Sequence, residues 1–118
     1  MQKITLWHNP RCSKSREAMS ILEDKECQVE VVKYLEVQPD IITIKEVLNK
    51  LELASARDLM RTKEDIYKEL NLKDVSDEEK LIEAMATHHK LIERPIIIKG
   101  SKAIIGRPTS KIAEFLDA

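Results

Sequence analysis

The first third of the chain changes from strand periodicity to helix periodicity and back. Residues 3–8 alternate apolar and polar side chains, which predicts a first strand. Residues 29–35 are rich in β-branched side chains and predict a second strand. Between them, helical spacing predicts a helix from residue 12 or 13 to 25, with one inward face made of Ser15, Ala18, Met19 and Leu22. Strand, helix and strand within about 30 residues form a βαβ unit, so the two strands should be parallel.

The middle of the chain, from about residue 40 to 90, carries helical patterning without strand patterning or repeats. Pairs of a hydroxyl residue and an acidic residue, three positions apart, predict helix starts in this segment. These pairs are Thr43 with Glu46, Ser55 with Asp58, Thr62 with Asp65, and Ser76 with Glu79. We interpret the segment as a helical insertion between two halves of a sheet.

The C-terminal part of the chain returns to strand patterning. Residues 95–99 are an apolar run behind a proline, Gly100-Ser101 suits a two-residue turn, and residues 102–106 can pair back antiparallel. A last helix is predicted over residues 109–116. This order predicts an α/β, thioredoxin-like fold. Its four-stranded mixed sheet has a β-α-β half and a β-β-α half, in a single domain over residues 1–118.

Composition and charge exclude several classes of function. The chain has 118 residues, 42% of them hydrophobic, and a formal net charge of -1, so neither nucleic acid nor an anionic membrane is an expected partner. No apolar run approaches the roughly 20 residues of a membrane span, and no signal peptide is predicted. Two cysteines are too few for a secreted disulfide scaffold. We therefore expect a cytoplasmic protein. We also expect a monomer, although nothing in these features decides the oligomeric state.

Candidate chemistry concentrates between His8 and Arg16. Cys12 follows the first strand and begins the first helix, where free backbone N–H groups and the helix dipole stabilise negative charge. Arg16 lies one helical turn beyond Cys12 on the same face, and His8 at the strand end can add a positive charge or a hydrogen-bond donor. Each effect favours the thiolate, which is the nucleophilic form of cysteine. A buried packing role is the alternative interpretation of Cys12.

The second cysteine, Cys27, is too far along the chain to resolve a disulfide on Cys12. The helix between them would extend about 20 Å, whereas a disulfide requires Cα atoms within about 7 Å. Cys27 is therefore predicted to be a packing residue. Any disulfide formed by Cys12 must then be resolved by a thiol from another molecule.

Three further arginines could bind an oxyanion near Cys12. Arg94 precedes Pro95 at the start of the third strand, Arg107 precedes Pro108 after the fourth, and Arg61 lies in the helical insertion. A planar guanidinium offers two parallel hydrogen bonds to a tetrahedral oxyanion. Taken singly, each of them would more often be a solvated surface residue.

The HxxxCxxxR segment from His8 to Arg16 resembles the active-site motif of the glutaredoxin-coupled arsenate reductases. The resemblance extends to Arg61, to the Arg94-Pro95-Ile96 and Gly106-Arg107-Pro108 segments, and to the order of elements over residues 4–116. The Arg-Pro pairs at two strand ends make the match specific, whereas the HxxxCxxxR pattern alone would be weak.

The resemblance implies a reductase with Cys12 as the nucleophile and with Arg61, Arg94 and Arg107 as oxyanion ligands. It implies a covalent thiol–arsenic adduct, glutathione as co-substrate, release of arsenite, and reduction of the mixed disulfide by glutaredoxin. It also implies a cis peptide before Pro95. Neither a bound cofactor nor a metal site is expected.

Two other functions remain open at the level of sequence. The CxxS spacing of Cys12 and Ser15 resembles the monothiol glutaredoxins, although their design lacks the helical insertion, Arg94 and Arg107. A non-enzymatic redox regulator of the Spx type has the same fold, but typically has a second cysteine where this chain has Ser15. A phosphatase-like arsenate reductase is excluded, since its phosphate loop would need arginine in place of Ala18.

Overall fold

The computed structural model describes residues 3–117. Its helices and strands are, in chain order, β1 (Lys3–Trp7), α1 (Ser13–Asp24), β2 (Gln28–Val32), α2 (Tyr34–Val37), α3 (Ile41–Leu51), α4 (Asp65–Glu69), α5 (Glu78–Thr87), β3 (Ile96–Lys99), β4 (Lys102–Ile105) and α6 (Ser110–Asp117). Short 3-10 turns lie at Ala56–Leu59, Leu72–Asp74 and His89–Leu91. No helix among the described residues is long and apolar enough to cross a membrane.

The chain divides into two compact units. The first, called the sheet unit below, comprises Met1–Val37 and Arg94–Ala118, and the second, called the helical unit, comprises Gln38–Glu93. The helical unit corresponds to the insertion predicted at about residues 40–90. The two halves predicted for the sheet therefore meet in one unit although the insertion separates them along the chain.

The sheet unit contains the predicted four-stranded mixed sheet, in the order β2-β1-β3-β4. Strand β1 pairs parallel with β2, as the βαβ interpretation requires, and antiparallel with β3. Strand β3 returns into β4 through Gly100, whose φ of 61° suits the predicted two-residue turn. The mixed thioredoxin-like sheet predicted from the sequence is confirmed.

The hydrophobic core of the sheet unit lies between the sheet and two helices. Buried apolar side chains of β1, β3, α1 and α6 pack together there: Ile4, Leu6, Ala18, Leu22, Ile97, Ile112 and Leu116. Cys27 is partly buried against this cluster. The packing role predicted for Cys27 is confirmed.

The second strand is shorter than predicted. Strand β2 ends at Val32, and Tyr34–Val37 forms the short helix α2 instead of continuing to residue 35. Tyr34 is buried, and its ring stacks on Trp7 with 6.1 Å between the centroids. Burial of this large side chain favours the turn over the β propensity of the segment.

The helical unit begins its helices at other residues than predicted, with one exception. Asp40 caps α3 by accepting a hydrogen bond from the Thr43 N–H at 2.8 Å, and Asp77 caps α5 by accepting from the Glu79 N–H at 3.0 Å. The predicted capping roles of Thr43 and Ser76 are therefore wrong. The predicted role of Thr62 is also wrong, because α4 begins at Asp65 and the residue before it is Glu64. An aspartate and a hydroxyl residue are comparable caps, so sequence could not rank such neighbours.

Ser55 is the exception. Its hydroxyl accepts from the Arg57 N–H at 3.1 Å, as predicted for a helix start, although the turn that follows is a 3-10 helix.

Candidate active site

Cys12 lies directly before α1, in extended backbone conformation with φ -94° and ψ 124°. Its N–H donates to the Asn9 carbonyl at 2.9 Å, and its own carbonyl accepts from the Arg16 N–H at 3.0 Å. These two bonds connect the turn after β1 to the first turn of the helix. The predicted position of Cys12 at a strand–helix junction is confirmed. Cys12 is buried, with 8% of its surface exposed.

Asn9 and Ser15 organise the turn that presents Cys12, and sequence reasoning did not assign them this role. The Asn9 N–H donates to the Ser15 hydroxyl at 3.3 Å, and the Asn9 side-chain oxygen accepts from the Arg11 N–H at 3.1 Å. Ser15 is fully buried. Asparagine before a turn, and a serine on the inward face of a helix, were the available signals.

Arg107 brings a guanidinium to the Cys12 sulfur. Its Nε donates to the Arg94 carbonyl at 2.7 Å, and its Nη2 lies 3.7 Å from Cys12 Sγ. Because β3 and β4 are antiparallel neighbours, the Arg94-Pro95 segment before β3 and the Gly106-Arg107 segment after β4 lie at the same end of the sheet. The Arg94-Pro95 and Arg107-Pro108 peptides are both cis.

Gly106 allows the close approach that places Arg107. A Cβ at this position would lie 2.8 Å from Ile97 Cδ1 and 3.1 Å from Pro95 Cγ, which is too close for any larger residue without a shift. The Gly106 N–H also donates to the Pro95 carbonyl at 2.9 Å. The segment before Arg107 is therefore fixed against the segment after Arg94.

The environment of Cys12 favours its thiolate. Burial raises the pKa of the Cys12 thiol, but the Ser15 N–H, the positive charge of Arg94 and the Lys14 N–H outweigh burial and leave the pKa below its ordinary value. These are the free N–H groups at the start of a helix and a nearby cation, as expected for a reactive cysteine.

The Arg16 guanidinium is hydrogen-bonded to the loop before Cys12 and not to the Cys12 sulfur. Its Nη1 donates to the Pro10 carbonyl at 2.9 Å, and its charge acts on His8. The cation that lowers the pKa of Cys12 is Arg94. The structure thus attaches Arg16 to the loop before Cys12, which disfavours the direct action on the thiolate considered from sequence.

His8 follows β1, and its N–H donates to the Val32 carbonyl at 2.8 Å. Burial, then the charges of Lys33 and Arg16, lower the pKa of the His8 imidazole. Among the described residues, the buried His8 Nδ1 has no hydrogen-bond partner. The lowered pKa disfavours the positive charge that was considered for His8 from sequence and leaves the donor role.

Arg61 belongs to the helical unit. Its guanidinium forms an ion pair with Glu64, and its N–H donates to the Leu91 carbonyl at 2.7 Å. The sheet unit thus brings together Cys12, Arg94 and Arg107 of the predicted residues, whereas the oxyanion role of Arg61 stays a prediction.

Comparisons with known proteins bear on this arrangement. The model of the ArsC family matches residues 7–115, from the end of β1 into α6. The chain belongs to the ArsC family. Its similarity to individual members extends over nearly all of its length.

Two relatives and one solved structure show the extent of the similarity. An arsenate reductase of Neisseria meningitidis is 50% identical over 117 residues, covering 98% of this chain and 100% of that protein. An uncharacterized protein of Escherichia coli strain K12 is 49% identical over 116 residues, covering 98% of each. The structure of an arsenate reductase from Vibrio cholerae superimposes with a TM-score of 0.93 at 43% identity, covering 96% of this chain and 97% of that one.

The arsenate reductase family and the thioredoxin-like fold predicted from the sequence are therefore confirmed. Within it, both cysteines of this family member are free, with Cys12 buried and Cys27 partly buried. The predicted nucleophile lies in the region matched by the family, beside arginines from the two Arg-Pro segments.

Proposed function

We propose that the protein reduces arsenate to arsenite, with Cys12 as the nucleophile, glutathione as co-substrate and glutaredoxin as the final reductant. The observation that carries this proposal is the 3.7 Å approach of Arg107 Nη2 to Cys12 Sγ. An anchored guanidinium beside a thiolate provides an oxyanion ligand at the place where the thiolate would attack.

In the first step, the Cys12 thiolate attacks the arsenic atom of arsenate. A sulfur–arsenic bond forms and one arsenate oxygen leaves as water, taking up the protons that the reaction requires. The lowered pKa of Cys12 supplies the thiolate, and a guanidinium from Arg94 or Arg107 neutralises the charge on the remaining oxygens.

In the second step, the glutathione sulfur bonds to Cys12 Sγ as the sulfur–arsenic bond breaks. The electron pair of that bond stays on arsenic, which leaves as arsenite, and two thiols become a Cys12–glutathione disulfide. Glutaredoxin then exchanges with this disulfide and restores the Cys12 thiol. Cys27 packs against the core beyond the far end of α1, which agrees with resolution by an external thiol.

The position of Ser15 favours the reductase over a monothiol glutaredoxin. Its hydroxyl accepts a hydrogen bond from the Asn9 N–H, and the residue is fully buried. The serine of the CxxS pattern therefore has a structural role here. Arg94 and Arg107, which a monothiol glutaredoxin does not need, are the residues beside the sulfur. We propose further that the protein acts in the cytoplasm as a monomer without a bound cofactor.

The test is arsenate-dependent oxidation of NADPH in the presence of glutathione, glutathione reductase and a glutaredoxin. We expect turnover that falls to the background rate in Cys12→Ser and is nearly unchanged in Cys27→Ser. Equal losses in both variants would contradict the assignment of an external resolving thiol. Absence of turnover in a protein whose Cys12 reacts rapidly with alkylating agents would reject arsenate as the substrate.

A further inference from the structure

His8 and Lys33 lie at the carboxyl ends of the parallel strands β1 and β2, beside the turn that leads to Cys12. Trp7 and Val32 are the last paired residues of these strands, and the His8 N–H donates to the Val32 carbonyl at 2.8 Å. His8 and Lys33 therefore leave the sheet side by side. The carboxyl ends of parallel strands are common ligand-binding positions in α/β proteins.

Arg16 completes this group from α1. Its Nη1 donates to the Pro10 carbonyl at 2.9 Å, so the guanidinium lies against the turn between β1 and Cys12. Lys33 and Arg16 are both close enough to lower the pKa of His8. We call Arg16 and Lys33 the cationic pair.

The cationic pair has no compensating carboxylate in the part of the chain that the structure describes. Neither member forms an ion pair there, and both are exposed. By contrast, two lysines in or next to α1 form ion pairs: Lys14 Nζ lies 3.6 Å from Glu17 Oε2, and Lys25 Nζ lies 3.9 Å from Asp117 Oδ2. Two uncompensated cations around a histidine repel each other, and an anionic ligand would relieve that repulsion.

We propose that the cationic pair binds the carboxylates of glutathione when its sulfur approaches Cys12. This inference rests on the proposed function for the identity of the thiol. Glutathione carries a carboxylate on each side of its thiol, and its sulfur must come within bonding distance of Cys12 Sγ. Its carboxylates then extend over the surface beside the turn that carries Cys12, where Arg16 and Lys33 are exposed.

The experiment measures thiol–disulfide exchange at Cys12 without arsenate, so that its outcome is separate from that of the arsenate assay. Oxidised glutathione, neutral bis(2-hydroxyethyl) disulfide and cationic cystamine each react with the full chain in a Cys27→Ser background. The Cys12 thiolate attacks one sulfur, the disulfide of the probe breaks, and a mixed disulfide forms. The other half of the probe leaves as a thiolate and takes up a proton.

We expect Lys33→Gln and Arg16→Gln each to slow the reaction with oxidised glutathione by about two- to fivefold at low salt. The neutral probe should react at an unchanged rate, and cystamine should react faster. Lys25→Gln is the matched control, because it removes the same charge at the other end of α1, more than a Debye length of about 10 Å away. This variant should leave all three rates unchanged.

Two results would overturn the proposal. Equal changes for all three probes would mean that the variants alter Cys12 itself. Unchanged rates with oxidised glutathione would overturn it as well, and slower resolution of the Cys12–glutathione disulfide by glutaredoxin in the same variants would then assign the cationic pair to a protein partner. If Arg16→Gln disturbs the turn, Lys33→Gln still decides the test, since the Lys33 side chain is exposed and forms no ion pair among the described residues.

Discussion

The helical unit and the sheet unit use arginine in different ways. In the helical unit, Arg57 donates to the Tyr67 hydroxyl and to the carbonyls of Leu72 and Val75, so its guanidinium fastens three segments of the chain. In the sheet unit, Arg107 uses Nε to hold the Arg94 carbonyl and directs Nη2 to the Cys12 sulfur. A guanidinium has five donors, and its role follows from how many of them the fold itself occupies.

The same contrast holds for the groups with lowered pKa values. In the helical unit, hydrogen bonds from Ser55 and the Ala56 N–H lower the pKa of Glu78, which accepts from that N–H at 2.8 Å. In the sheet unit, backbone N–H groups and Arg94 lower the pKa of the Cys12 thiol. The interactions of the helical unit support its fold, and those around Cys12 favour its thiolate.

Replacing Arg107 in the sheet unit and Arg57 in the helical unit by lysine should show the largest contrast, with activity lost in the first variant and stability lost in the second. Arg107→Lys keeps the charge but cannot hold the Arg94 carbonyl and face Cys12 at once, so we expect kcat/KM for arsenate to fall by about 10- to 100-fold. Its free energy of unfolding should change by less than about 1 kcal/mol. Steady-state kinetics and urea unfolding measure both quantities.

Arg57→Lys is the counterpart and should destabilise the protein by about 1–3 kcal/mol, because partly buried carbonyls lose their donor. A stable Arg57→Lys protein, or an Arg107→Lys protein that loses stability instead of activity, would contradict the division of roles between the units.

Arg61→Gln tests whether the helical unit also supplies an oxyanion ligand. We expect KM for arsenate to rise about three- to tenfold, less than for a guanidinium beside the sulfur, because Arg61 shares its donors with Glu64. Glu64→Gln is the control, since it breaks the same ion pair and leaves the cation in place. Equal KM values in both variants would limit Arg61 to the ion pair.

The rate of Cys12 alkylation by iodoacetamide against pH measures the thiolate directly. We expect a midpoint below that of free glutathione in the same assay, because the pKa of Cys12 is lowered. Arg94→Gln should move the midpoint upward, whereas Arg16→Gln should leave it unchanged, since Arg16 is bound to the Pro10 carbonyl. The reverse ranking would restore Arg16 as the cation that activates the thiol.

The smallest effect is expected in the dependence of stability on pH. The pKa of His8 is lower in the folded protein than in the unfolded chain, so its contribution to stability is present above about pH 6.5 and is lost as the pH falls through the folded value. The lowered pKa of Glu78 acts in the same direction, from about pH 4.3 downward.

Urea unfolding at a series of pH values checks both windows. His8→Gln should flatten the loss of stability in the upper window and leave the lower one, and Glu78→Gln should do the opposite. Unchanged pH profiles in both variants would show that these groups do not contribute to the acid sensitivity of their units.

Periodicity predicted most elements of the fold because local burial repeats along the chain. The strands β1, β3 and β4 and the helix α1 lie within a residue or two of their predicted bounds. The end of β2 was wrong because Tyr34 is buried against Trp7, a contact that local propensity does not contain. The helix starts at Asp40 and Asp77 were missed because an aspartate caps a helix as well as the hydroxyl residue that lies one to three positions away.

The residues of the candidate site also fall into those that the sequence placed and those whose contacts depend on the tertiary structure. The sequence by itself determined that Cys12 begins a helix and that Arg94 and Arg107 flank two neighbouring strands, because these placements follow from local pattern and strand order. Only the tertiary structure decided that Arg107 reaches the sulfur while Arg16, one turn from Cys12, bonds to the Pro10 carbonyl. Helical spacing sets the face on which a guanidinium lies, but the acceptor it reaches depends on the carbonyls and sulfur that distant segments place around it.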